Sequence, residues 1–298
     1  MKRLFGAYVI IDYNAAEGRK TGESSLWIGV MKRDVRFRLS YETHNPATRA
    51  EGLALLRTLL ADLKKRGDRV FLGVDFALGL PRGTAARLAL PGEAWRAMWD
   101  FLGKNIVDKP DNSNNRFQVA AKMNRLMTDA AWPFWGCPKS AAQKWLSTLK
   151  PESLGTFPEL RLTEEAVRKS KKAQPKSLWQ MHGAGVVGGQ TLLGIAAFRA
   201  VLAESGGRAW PFETGFGLLD DAVVDGVPLV LAEIYPAVFP GTAHAGEVRD
   251  AAAVRLTAEA LAELDDKGEL GAMFAAPKAL KEAQVAIAET EEGWILGV

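Results

Sequence analysis

The sequence predicts an α/β protein in which one mixed β-sheet carries a large helical insertion. Apolar runs near the amino terminus are typical of strands, and a leucine-rich helical stripe separates the third run from the fourth. Residues 82–205 have mainly helical patterns, and strand character returns after them. Because no linker divides the chain, we expect residues 1–298 to form a single domain with its helical insertion at about 82–205.

The first 41 residues predict three strands. Residues 4–12 form a near-continuous apolar run that ends in an acid, and residues 25–31 form a second apolar run. Within residues 35–41 apolar and polar side chains alternate, which is typical of a half-buried strand. A tight hairpin at residues 32–34 would join the second strand to the third.

A helix and a fourth strand are predicted next. The helix should begin near Asn45 and Pro46 and end at residues 66–68. Its apolar stripe consists of six leucines, Leu53, Leu55, Leu56, Leu59, Leu60 and Leu63. Residues 70–75 then form another apolar run that ends in an acid.

The rest of the chain completes a five-stranded mixed sheet and its helical cover. Helices are predicted in the insertion at 92–106, 115–130, 139–148, 160–172 and 188–204. Strand character is found at 208–213 and 228–235, and further helices are predicted at about 248–266 and 277–289.

The composition is that of an ordinary globular protein. The 298 residues are 48% hydrophobic and 24% charged, and the formal net charge of +3 permits an anionic partner without requiring one. Cys137 is the only cysteine, so the chain cannot form an internal disulfide and fits a reducing compartment. No apolar run approaches the roughly 20 residues of a membrane span. We therefore expect a cytoplasmic protein with no signal peptide and no membrane partner.

Two acids at strand ends carry the functional prediction. Asp12 and Asp75 each end a buried apolar run, at the point where a strand meets solvent. If the two strands are neighbours, the carboxylates come close together and ionise poorly unless a cation joins them. Hard oxygen ligands in this arrangement suit Mg²⁺ or Mn²⁺. The pair therefore predicts a divalent-metal centre, and the alternative is that both acids only form turns.

The order of these elements resembles the ribonuclease H-like fold. In that fold the first and fourth strands are neighbours, and acids on them and on a late helix bind two metal ions. The resemblance implies that Asp12, Asp75 and Asp250 are the metal ligands. Glu51 lies early in the first helix, where ribonuclease H itself has a glutamate, so it is a further catalytic candidate.

A narrower resemblance concerns three short segments. Residues 74–81, 233–236 and 250–253 are similar to those of a family of uncharacterised bacterial proteins that are predicted nucleases of this fold. The resemblance implies a nuclease or phosphodiesterase. The late helix departs from one pattern, because resolvase-like members of the fold often have two early acids there and this chain has only Asp250.

Each of the other acids also has a structural interpretation. Glu51 follows Thr48 at the spacing of a capping box, in which it would bind the amide at the helix start. Asp250 would favour the positive end of the helix dipole. Glu233 ends an apolar run and needs a partner or a metal, which makes it a candidate for the acidic site. Glu213 is a weaker candidate of the same kind.

Two loops are candidates for substrate binding. Gly183, Gly185 and Gly188 match the G-x-G-x-x-G pattern, but no apolar strand precedes them, which argues against a dinucleotide site. Bare amides at the start of a helix could hold phosphate, and the alternative is a tight turn. Asn115 and Arg116 could donate hydrogen bonds to a phosphate or a base, or could simply belong to a capped helix start.

The sequence therefore predicts a metal-dependent nuclease or phosphodiesterase that uses Mg²⁺ or Mn²⁺. The substrate would be nucleic acid or a nucleotide, and two metals roughly 4 Å apart would act together. One alternative is phosphoryl transfer of the kind that sugar kinases and actin-like ATPases perform on the same core, but their Asp-x-Gly-x-Thr pattern is absent after Asp12. Another alternative is a non-catalytic nucleotide- or RNA-binding protein.

Overall fold

The computed structural model describes residues 3–34, 36, 38–170 and 173–298. Its strands are β1 (Ala7–Asp12), β2 (Trp27–Arg33), β3 (Leu39–His44), β4 (Val70–Val74), β5 (Arg208–Ala209) and β6 (Leu229–Glu233). They form one six-stranded sheet in the order β3-β2-β1-β4-β6-β5. The predicted residues Val35 and Phe37 of the third strand lie outside the described residues.

The sheet is mixed, and the α/β class that the sequence predicted is confirmed. β2 pairs antiparallel with both β1 and β3. β4 pairs parallel with β1, and β6 pairs parallel with β4 and β5. The sheet has six strands where five were expected, and of the strand character predicted at 208–213 only the two-residue edge strand β5 forms, beside β6.

Helices cover both faces of this sheet. Their bounds are α1 (Arg49–Lys65), α2 (Thr84–Arg87), α3 (Ala94–Asn105), α4 (Arg116–Thr128), α5 (Leu162–Lys169), α6 (Gly188–Ser205), α7 (Arg249–Lys267) and α8 (Glu282–Ile287). Among the described residues, none of the helices has both the length and the apolar character needed to cross a membrane.

The helix predicted at residues 139–148 is wrong. Only Lys139–Ala141 form a short 3₁₀ turn there. The backbone that follows is used for contacts with other segments, since the Trp145 carbonyl accepts a hydrogen bond from Asn124 Nδ2 at 2.7 Å. The Ser147 carbonyl accepts another from the Gly136 amide at 2.8 Å. Carbonyls that are bound in this way cannot close the ladder of an α-helix.

Alternation along the strands creates two separate cores. On one face, Ile11 of β1 and Leu231 of β6 pack in the same core as Leu56 of α1 and Phe198 of α6. On the other face, Ile10, Ala232 and Phe71 pack with the α7 residues Val254, Ala258 and Leu261. Because successive side chains of a strand point to opposite faces, this division also fixes where the strand-end acids point.

A buried ion network joins β6, α5 and the carboxyl-terminal segment. Arg161 is fully buried, and its Nη1 and Nη2 donate to the two carboxylate oxygens of Glu233 at 2.8 and 2.5 Å. Nε and Nη2 of Arg161 donate to Glu164 at 2.9 and 2.5 Å, and Nη1 also donates to the Glu292 carbonyl at 2.8 Å. Burial raises the pKa of Glu233, although Arg161 opposes this shift.

We expect Arg161→Met to lower the free energy of unfolding by about 3–5 kcal/mol, because the change leaves two buried carboxylates without their cation. Glu233→Gln is the matched control, since it keeps the pair between Arg161 and Glu164 and should be less destabilising. The measurement is urea unfolding at pH 7 followed by circular dichroism. An equal or smaller loss in Arg161→Met than in Glu233→Gln would contradict the role given to Arg161.

Candidate active site

Asp12 and Asp75 lie side by side at the carboxyl ends of two parallel strands. The register pairs Ile11 with Val74, and the Asp75 amide continues the ladder by donating to the Ile11 carbonyl at 3.2 Å. The two acids therefore occupy equivalent positions on neighbouring strands and point to the same face. Their carboxyl groups lie close enough for each to affect the pKa of the other.

This arrangement changes the acidity of both groups. Burial, and after it the charge of Asp75, raises the pKa of Asp12 well above its ordinary range. Burial also raises the pKa of Asp75, against the stabilising effect of the Tyr13 amide, which donates to Asp75 Oδ1 at 2.7 Å. The pair consequently holds a proton that an ordinary pair of exposed aspartates would release.

Asp250 approaches the same face from the late helix. α7 packs on β1 and β2, and Asp250 lies in its first turn. Its charge raises the pKa of both Asp12 and Asp75, so it acts on the pair through space. The Asp250 carboxylate is held by the Ser24 amide, which donates to Oδ2 at 2.6 Å.

The donor set of this site suits a hard cation. Within the described ranges, no group of three or more His, Cys, Asp or Glu side chains converges to hold a metal ion. Asp12 and Asp75 alone supply carboxylate oxygens, which fits Mg²⁺ because that ion commonly keeps several waters and uses one or two carboxylates. Asp250 has one carboxylate oxygen, Oδ2, bound to the Ser24 amide.

The structure does not bring Glu233 to the acidic pair. Glu233 pairs in register with Val74, so its side chain points to the face opposite Asp75. The partner that its buried charge needs is Arg161 and not a metal. The sequence could not distinguish these alternatives, because Arg161 is 72 residues away along the chain.

Glu51 and Glu213 are likewise engaged elsewhere. The Glu51 carboxylate accepts from the Ala47 amide at 3.1 Å and pairs with Arg19 at 2.5 Å, while its own amide donates to Thr48 Oγ1 at 3.1 Å. These are the contacts of a helix start, as the structural interpretation of Glu51 expected. The Glu213 carboxylate accepts from the Ala209 amide at 2.9 Å and pairs with Arg96.

A cleft of about 770 Å³ opens beside the acids. The residues of its lining that concern the site are Asn14, Glu17, Ser24, Arg116, Gly185 and Gln190. Two of them connect it directly to the acids, since the Ser24 amide binds Asp250 and Gln190 Nε2 donates to the Asp75 carbonyl at 3.2 Å. The cleft is thus linked to Asp250 through Ser24 and to the main chain of Asp75 through Gln190, and the carboxyl groups of Asp12 and Asp75 are not part of its described lining.

The glycines of the predicted phosphate loop have two different roles. Gly183 and Gly185 line the cleft and are exposed, with φ angles of +124° and +66° that favour glycine. Gly188 is buried in the first turn of α6, where a Cβ would lie 2.3 Å from the Leu178 carbonyl oxygen and 2.4 Å from that of Gln180. Gly188 therefore serves close packing, and its role in substrate binding stays a prediction.

Arg116 and Asn115 also differ in their roles. Arg116 lines the cleft and is only 6% exposed, and burial lowers its pKa. Asn115 uses both ends of its amide inside the loop, since Oδ1 accepts from the Val107 amide at 2.8 Å and Nδ2 donates to the Asn105 carbonyl at 2.9 Å. Asn115 is therefore placed to hold the loop, and not to contact a substrate as the sequence predicted.

One organising residue was missed by the sequence reasoning. Arg49 is buried, and its Nε and Nη2 donate to the Asp108 carboxylate at 2.6 and 2.7 Å. Its Nη1 donates to the Ala16 carbonyl at 2.7 Å, which fixes the loop between β1 and β2 that forms one wall of the cleft. No sequence signal points to this role, because an arginine in the first turn of a helix is usually exposed.

Comparisons with known proteins add no further assignment. The chain matches no family model, and searches of curated proteins and of solved structures gave no significant match.

We expect Asp12→Asn to stabilise the protein at neutral and alkaline pH in the presence of a chelator. The pKa of Asp12 is raised on folding, so its favourable contribution is complete below the ordinary carboxyl pKa of 3.8 and is lost as the pH rises through the folded value. The variant should match wild type near pH 4 and exceed it at pH 8 by more than about 1.4 kcal/mol, the equivalent of one pKa unit.

The measurement is urea unfolding in EDTA from pH 4 to pH 8. Asp225→Asn, which removes an exposed acid, is the control and should follow wild type across the range. A difference between Asp12→Asn and wild type that does not grow with pH would show that the two carboxyls are not coupled in solution.

The two roles of the glycines predict losses of stability that have different structural causes. Gly188→Ala should lower the free energy of unfolding by about 1–3 kcal/mol, because its Cβ would overlap two carbonyl oxygens. Gly185→Ala has open space and should cost only about 1–2 kcal/mol, from its left-handed backbone. Crystal structures of both variants provide the second readout: a shift of residues 178–180 is expected in Gly188→Ala alone.

Proposed function

We propose that this protein is a Mg²⁺- or Mn²⁺-dependent nuclease or phosphodiesterase that acts on nucleic acid or nucleotides. One observation carries the proposal: Asp12 and Asp75 lie side by side at the ends of neighbouring parallel strands, and the pKa values of both are raised. Two buried carboxylates that repel each other gain most from a shared divalent cation. The cleft beside them offers a place for the substrate.

The strand order supports a ribonuclease H-like fold for this proposal. The resemblance expects the first and fourth strands to be neighbours, and β1 pairs with β4. It also expects a late helix that carries an acid, and α7 packs against β1 and β2 with Asp250 in its first turn. The segment from about 82 to 205 would then be a helical insertion into this fold.

The roles of the chain's own residues follow from their positions. Asp12 and Asp75 would hold the cation, and Asp250, whose Oδ2 accepts from the Ser24 amide, would join them. A divalent ion bound there would supply an activated water at neutral pH and stabilise the charge of the leaving oxygen. Arg116 and the amides near Gly183 and Gly185 would hold the phosphate of the substrate in the cleft.

A non-catalytic nucleotide-binding protein is the second candidate. It is favoured by one observation, namely that the described residues contain no ready group of three metal ligands. Such a protein would bind a nucleotide in the cleft without hydrolysing it, and Asp12 would keep its proton.

We expect Asp12→Asn and Asp75→Asn each to lower metal-dependent hydrolysis by at least about 100-fold, because each removes a metal ligand. The assay is a screen of DNA, RNA, nucleotides and cyclic dinucleotides with Mg²⁺ and with Mn²⁺. Glu51→Gln is the matched control: glutamine still serves a capping box, so this variant should keep wild-type activity.

The outcomes separate the two candidates. Hydrolysis that survives Asp12→Asn would exclude a role for the acidic pair in the reaction. Saturable nucleotide binding without turnover in either metal would favour the binding protein over the enzyme.

A further inference from the structure

Arg116 is a buried cation in the wall of the cleft, and its surroundings do not fully balance its charge or satisfy its hydrogen-bond donors. Its side chain is 8% exposed. Nη1 donates to Glu17 at 3.1 Å and to Asn114 Oδ1 at 2.8 Å, whereas the buried Nε has no hydrogen-bond partner. Burying a charge is costly unless it is both paired and hydrogen-bonded. Arg116 therefore stands to gain from an additional or stronger anion.

The neighbouring charges do not supply that anion. Asp108 is another nearby acid, but both of its carboxylate oxygens accept from Arg49, at 2.6 and 2.7 Å. Among the described residues, the ion-pair partner of Arg116 is Glu17. The Glu17 side chain is 58% exposed, and exposed carboxylates are weak counter-ions because water and salt screen them.

Glu17 is itself held by little else. It lies in the loop between β1 and β2, and Arg116 is its ion-pair partner in the described part of the chain. It lines the same cleft as Arg116, Lys20 and Gly185. Its carboxylate thus occupies the place on Arg116 that an anion entering the cleft would need.

We propose that Glu17 is a displaceable counter-ion, which holds the place of a substrate phosphate on Arg116 until a phosphate-bearing ligand enters the cleft. A phosphate group carries more charge than a carboxylate and has three strong acceptor oxygens, so it can replace Glu17 on the guanidinium. Glu17 would therefore set the affinity of the cleft and disfavour ligands that offer only a carboxylate. The inference deepens the proposed function, since it concerns the same cleft, but it requires neither metal nor hydrolysis.

The test is isothermal titration with inorganic pyrophosphate at low ionic strength in EDTA. Glu17→Gln should bind pyrophosphate about two- to fivefold more tightly than wild type, because it removes an exposed ion pair that competes with the ligand. Glu23→Gln is the matched control: it removes an exposed acid from the same loop, away from the cleft lining, and should bind like wild type.

The results separate this inference from the proposed function. Equal tightening in Glu17→Gln and Glu23→Gln would indicate a general effect of net charge and overturn the inference. Unchanged affinity in Glu17→Gln, or no pyrophosphate binding by any of the three proteins, would also overturn it. Tighter binding by Glu17→Gln alone would support it, even if no substrate is hydrolysed and the proposed enzymatic function fails.

Discussion

The parallel pairing of β1 with β4 is the constraint on which the site depends. It places Asp12 beside Asp75 at the end of the sheet, where burial raises the pKa of both carboxyls. A sheet of this kind is stabilised by burying apolar strands, and its interior offers no benefit from two acids that repel each other. The arrangement therefore reduces stability at neutral pH, and we infer that function and not folding explains it.

Because side chains alternate along a strand, the acidic pair and the acid that is neutralised by an arginine lie on opposite faces of the sheet. The face that carries Asp12 and Asp75 is covered by α7, so Asp250 comes close to the pair. The opposite face carries Glu233, which is neutralised by the buried Arg161. Asp75 and Glu233 both end apolar runs in the sequence, but their side chains point to opposite faces of the sheet. The reason is that a shift of one residue along a strand moves a side chain to the other face.

These contacts explain how far the sequence could be interpreted. Apolar runs ending in Asp12 and Asp75 predicted the strands and their acids, because that information is local. The partners of Glu233 and Asn115 were not predictable, since Arg161 is distant in the chain and the amide of Asn115 turns back into its own loop. The packing role of Gly188 was missed for a similar reason: the carbonyl oxygens of a separate segment, at Leu178 and Gln180, leave no space for a Cβ at this position.

The cleft has a buried cation in its wall, and the acidic pair lies near it. Asp12 and Asp75 favour a cation, whereas the buried Arg116 has an exposed acid as its partner and favours a better anion. Arg49 fixes the loop between β1 and β2 that forms one wall of the cleft. A divalent cation together with a phosphate supplies both missing charges at once. This complementarity is the physical reason to look for a metal-bound phosphate ester, and not a neutral ligand, in the cleft.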